Sequence, residues 1–108
     1  MDTVVPGKNI QPFIENGYIK TDGTTILGAD DKAGIAAMLE AIKVIQENKL
    51  SHGMIQFIIT VGEEAGLVGA KELDRNLIKA KYGYALDSDG LVGDIVTAAP
   101  TQAKINVT

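Results

Sequence analysis

The sequence contains no cysteine, which excludes disulfides and thiolate metal ligands and leaves the redox compartment unread. Basic residues are outnumbered: 10 lysines and arginines face 14 aspartates and glutamates, for a formal net charge of −4. With no basic stripe to neutralise phosphates, nucleic acid is excluded as the main partner. Long apolar runs are missing too. The longest fall far short of the ~20 residues that span a bilayer, and no signal-peptide pattern opens the chain. The sequence has no internal repeat or low-complexity tract. The default expectation is a soluble, cytoplasmic protein with no membrane partner.

What is present is the composition of a globular domain. The chain has 108 residues, 45% of them hydrophobic and 22% charged, enough for one domain with a modest core. Both ends look cut, because "MDTVV" opens and "AKINVT" closes in strand-like patterns where loose polar termini are usual. The expectation is a piece of a longer chain.

Along the chain, "GYIKTDGTTILG" reads as a hairpin turning at Asp22-Gly23. Ile35, Met38, Leu39, Ile42 and Ile45 then recur at the spacing of one helical face, predicting a helix from about Lys32 to Asn48 with Asp30 or Asp31 as its N-cap. "MIQFIITV" is rich in Ile, Val and Phe and predicts a strand. A short helix over about Leu67 to Leu73, a strand at "YGYALD", a turn at "SDG" and a strand at "DIVTAAP" follow. Alternating strands and helices predict an α/β domain with a mostly parallel sheet, in which ligands bind beyond the carboxyl ends of the strands.

The acids fall at those ends. Asp30 follows "TTILG", Glu63 and Glu64 follow "MIQFIITV", Asp87 ends "YGYALD", and Asp2 stands at the opening. Each has an ordinary explanation. Asp30 and Asp31 can cap a helix, Glu63 and Glu64 can be a solvated loop, and Asp87 and Asp89 can form a turn before Gly90. Lys32 reads as a solvated or ion-paired lysine. The single histidine, His52, lies in the helix-to-strand connection "LSHG", on the opposite edge from the acids, and reads as a loop residue. Together the acids mean more. Gathered carboxylates without matching cations repel one another unless protonated or bound to a cation. Oxygen ligands alone suit calcium or magnesium, whereas zinc usually takes histidine or cysteine as well. A zinc site therefore requires histidines outside residues 1–108.

The segments "LGADDKAGIAAMLEA", "FIITVGEEAGLVGAK" and "YALDSDG" resemble the metal-binding segments of the peptidase T-like dinuclear zinc aminopeptidases. Tripeptidases, carboxypeptidase G and succinyl-diaminopimelate desuccinylase belong to the same wider family. The opening "MDTVVPG" is similar to that family's His-x-Asp segment, beginning just after the histidine. The resemblance implies a three-layer zinc exopeptidase fold. Residues 1–98 would be part of the catalytic domain, and 99–108 the start of a lid or dimerisation domain through which a homodimer forms. It implies two zinc ions per full-length subunit, with Asp30 bridging them, Glu64 on one and Asp87 on the other. Glu63 matches the general base and Asp2 the aspartate that orients the first histidine, while Asp31 and Asp89 match no assigned role. The implied reaction is release of the N-terminal residue from short peptides, with the fragment alone inactive. An amide deacylase or dipeptidase of the same family is the alternative. A non-catalytic module binding calcium or magnesium is the rival of another class, weakened by the lack of D-x-D-x-D-G spacing. "GEEAGLVG" lacks the G-x-G-x-x-G spacing of a dinucleotide site.

Overall fold

A computed structural model describes residues 2–101 and Ile105. Most of the segment expected to begin a lid domain, 99–108, lies outside the described residues. Two short strands come first, β1 (Phe13–Glu15) and β2 (Tyr18–Lys20), paired antiparallel with Ile14 opposite Ile19. Their turn is Asn16-Gly17, with φ of 52° and 80°, the two positive values that a tight two-residue hairpin turn demands. The hairpin expected at Asp22-Gly23 is thus one turn too late. At Asp22 the carboxylate accepts from the backbone N–H of Thr24 at 2.9 Å and from its hydroxyl at 2.6 Å. That local closure turns the chain without pairing its flanks.

The helix α1 (Lys32–Glu47) begins where its periodicity predicts, and Asn48 is its C-cap. Asp31 is the N-cap, its carboxylate accepting the Gly34 N–H at 3.0 Å. A second helix, α2 (Val68–Glu72), is followed by a 3-10 turn over Arg75–Leu77. Among the described residues, no helix is long and apolar enough to cross a membrane.

The segments expected to be strands at "TTILG", "MIQFIITV", "YGYALD" and "DIVTAAP" form no ladder among the described residues, where the hairpin is the only sheet. β-propensity reflects fit to neighbouring strands and needs a partner to act on. Isolated bonds still set neighbours. Ile26 N–H donates to the Pro6 carbonyl at 2.9 Å. The Gln56 amide takes the place of a strand partner, donating to the Leu77 carbonyl at 2.7 Å and accepting the Lys79 N–H at 3.0 Å. The molecule is open, with a radius of gyration of 17.0 Å against about 13 Å for a compact domain of this length.

Candidate active site

The acids reach one place because each sits where an extended segment gives way to a loop or helix. Asp30 precedes α1 and its cap. Glu63 and Glu64 occupy a tight loop between the end of "MIQFIITV" and α2. In that loop the Glu63 carbonyl accepts the N–H groups of Gly66 at 2.9 Å and Leu67 at 3.0 Å. Gly62, Gly66 and Leu67 all have positive φ, at 67°, 97° and 62°. Such backbone reversals separate the directions of adjacent side chains, which lets two neighbouring glutamates face different surroundings. Asp87 ends the segment that passes under the first turn of α1.

These side chains line one cavity of about 220 Å³. Six carboxylates contribute to it, from Asp2, Asp30, Asp31, Glu63, Glu64 and Asp87, above a floor that includes Ile35, Met38, Ile58 and Leu86. Asp2, the most distant in sequence, is tied in directly: its Oδ1 accepts the backbone N–H of Glu63 at 3.0 Å. Asp31, like Asp89, has no role implied by the family resemblance. It joins the cavity wall while capping α1, and its place three residues before Gly34 is the N-cap signal that marks it.

No cation of the protein offsets this charge among the described residues. Their ion pairs are Lys20–Glu15 and Lys43–Glu40, neither at the cavity. Lys32 turns back along the helix and donates to the Gly28 carbonyl at 2.9 Å. His52 contacts its neighbour's carbonyl at 2.7 Å and does not line the cavity. The consequence is visible in two carboxyls. Glu63 is held above the ordinary carboxylate range, first by loss of hydration and then by repulsion from Glu64, Asp87, Asp30 and Asp2. Asp87 is raised likewise. Loss of hydration leads, followed by the charges of Asp30 and Asp31, a hydrogen bond with the Asp30 carboxyl, and the charge of Asp89. Carboxylates crowded without a cation raise one another's pKa, so the cavity is short of positive charge.

That shortage tests the fit to metal. Hard oxygen donors, clustered and unneutralised, suit divalent cations. Among the described residues, however, no three acids or histidines are grouped closely enough to hold an ion. No imidazole is on hand to complete a zinc site of the usual composition. The cavity supplies oxygen donors only, and a zinc site built on them would need nitrogen ligands from outside it.

The cavity is walled by carboxylates from four separate segments. Comparison with known proteins identifies the family. The model of the M42 glutamyl aminopeptidases matches residues 2–104, and the chain belongs to that peptidase family. It is 72% identical over 105 residues to the uncharacterized protein YqjE of Bacillus subtilis, covering 97% of this chain and 28% of that one. It is 43% identical over 89 residues to Peptidase T of Escherichia coli strain K12, covering 82% of this chain and 21% of the relative. The chain therefore spans less than a third of the length of either. No solved structure matches it.

Proposed function

We propose that the full-length protein is a zinc-dependent aminopeptidase of the peptidase T type, releasing the N-terminal residue from short peptides. In this reading the segments before Asp30, Glu63 and Asp87 join a mostly parallel sheet in a three-layer α/β catalytic domain. The observation that carries it is the convergence of six carboxylates on one cavity with no lysine or arginine among its lining residues.

Asp30, Glu64 and Asp87 would hold two zinc ions, together with imidazoles outside residues 1–108. Bound there, such ions polarise a peptide carbonyl and lower the pKa of water. The remaining work falls to the chain. Glu63 would take a proton from the oxygen of the attacking water and hand it to the departing amine nitrogen. Asp2, bonded to the Glu63 N–H, holds the loop that aims this carboxylate. Six carboxylates also exceed the four positive charges of two dications, leaving a negative field that attracts the α-ammonium group of a peptide. That favours a free N-terminus over an acylated one as the group bound beside the scissile bond.

The test is an assay of the full-length protein against tripeptides, N-acetylated tripeptides and simple acyl amides, before and after chelation. The expected result is cleavage of free tripeptides, lost on chelation and restored by zinc. Cleavage of acylated substrates alone would replace the aminopeptidase with a deacylase. Activity untouched by chelation would remove the metal from the scheme.

A further inference from the structure

Each helix contains a single glycine, and each glycine lies in the first turn, against a segment that leads into the acids. In α1 this is Gly34, one of the few buried residues. A Cβ added there would stand 2.7 Å from the Leu86 carbonyl oxygen and 2.5 and 2.7 Å from the Asp31 carboxylate oxygens. In α2 it is Gly69, where a Cβ would stand 2.6 Å from the Val61 carbonyl oxygen and 2.7 Å from the Val61 nitrogen. Real Cβ contacts essentially never fall under 3.0 Å. Neither glycine has positive φ, so backbone conformation does not require them. Alanine is the better helix former at both positions. What requires glycine is close approach: of the Val61 backbone at Gly69, and of the Leu86 carbonyl together with the capping Asp31 carboxylate at Gly34.

The two approaches serve different acids. Gly34 seats the start of α1 on Leu86, which brings Asp87 up to Asp30. Gly69 seats α2 on Val61, and its N–H donates to the Val61 carbonyl at 2.8 Å. That contact closes the loop holding Glu63 and Glu64. We propose that Gly34 and Gly69 are positioning residues: Gly34 sets the spacing of Asp30 and Asp87, and Gly69 sets the aim of Glu63 and Glu64. The proposal rests on the reading of these acids as the catalytic centre. A side chain at position 34 must push the Leu86 carbonyl from 2.7 Å to an ordinary 3.4 Å or beyond. Asp87 moves with it.

The experiment uses the full-length protein and the variants Gly34→Ala, Gly69→Ala and Ala33→Gly. The last weakens the same turn of α1 without adding a contact. Zinc binding to the metal-stripped proteins is measured by titration calorimetry, and kcat and KM for a tripeptide are measured at saturating zinc. Gly34→Ala is expected to weaken zinc binding at least tenfold. Gly69→Ala is expected to lower kcat at least tenfold with KM little changed. Ala33→Gly should lower the melting temperature alone. A purely packing role predicts that all three variants lose thermal stability while zinc affinity and kcat stay at wild type, and that result overturns the proposal. If one alanine variant does not fold, the other carries the test, since its contact is with a different segment. If neither folds, the glycines serve packing and the proposal fails. A wild-type protein that neither binds zinc nor cleaves peptides overturns the catalytic reading and the proposal with it. An active wild type matched by its variants overturns the proposal alone.

Discussion

At the scale of single residues, the two adjacent glutamates are chemically identical and are separated only by the loop that carries them. Glu63 sits at the cavity with its carboxyl raised, and its backbone N–H is anchored on Asp2. On the proposed zinc-peptidase reading, Glu63→Gln in the full-length protein is expected to keep its zinc content while losing turnover, because an amide cannot accept the water's proton. The loss should be on the order of 10²–10⁴-fold. Glu64→Gln should instead reduce the zinc held per subunit. Metal analysis beside rate measurement decides it, and equal metal loss in both variants would contradict the division of roles. Asp2 permits a finer distinction. Asparagine at position 2 retains an oxygen able to accept the Glu63 N–H, and alanine does not. If that bond is what matters, Asp2→Asn keeps most of kcat and Asp2→Ala loses it. Equal loss in both would assign the role to the Asp2 charge instead.

At the scale of elements, what could be read from the sequence follows the range of the forces involved. The α1 boundaries were legible because a helix closes its hydrogen bonds within four residues, and the Ile35–Met38–Leu39–Ile42 periodicity carries that information locally. The strands depend on partners distant in sequence, and the Met54–Val61 segment shows how far composition goes without them. The hairpin was misplaced because Asn16-Gly17 and Asp22-Gly23 offer similar turn chemistry, and the Thr24 contacts that divert Asp22 are not visible in a dipeptide. Asp30, Glu63, Glu64 and Asp87 were legible because they follow apolar runs, and Asp2 only through the resemblance of the opening segment. The Gly34 and Gly69 approaches were not, since no periodicity encodes the distance between two backbones. Two outcomes follow at this scale. An added Cβ at Gly17 would touch nothing within 4 Å, so Gly17→Ala acts through its φ of 80° alone. It should destabilise the hairpin by about 1 kcal/mol, read from cross-strand NOEs between Ile14 and Ile19. Asp22 lies below its ordinary value of 3.8, owing first to the Thr24 hydroxyl and then to the Thr24 N–H. A depressed carboxyl stabilises the loop above its unfolded pKa, and that contribution is lost as pH falls through the folded value. A carbon-detected NMR titration of the full-length protein should find the Asp22 midpoint below 3.8. In Thr24→Val that midpoint should move upward.

At the scale of the whole molecule, the accessible surface is 9895 Å², where a compact monomer of this size exposes about 5,800 Å². Many large hydrophobic side chains contribute to the exposed surface. Ile55, Ile59, Val61, Tyr84 and Leu86 are all exposed, and no hydrophobic residue among those described is fully buried. These residues lie on the segments that carry Glu63, Glu64 and Asp87, so the stability of the site depends on whatever covers them. Burial of apolar surface contributes about 25 cal/mol per Å², so leaving these residues uncovered forfeits part of the gain that must offset the entropy of ordering the chain. Residues 1–108 on their own are therefore expected to melt without a cooperative transition and to bind an apolar dye such as ANS, behaviour the full-length protein should not share. Residues 1–108 alone should also bind zinc weakly. Their cavity offers carboxylates without imidazole, and the loss of hydration and mutual repulsion that raise Glu63 and Asp87 are left without a firmly held cation to offset them. Differential scanning calorimetry and zinc titration of the two lengths side by side provide the measurement. A sharp melting transition in residues 1–108 would show that the exposed apolar segments find partners within those residues. Tight binding of two zinc ions by residues 1–108 alone would show that the ligands have been misassigned.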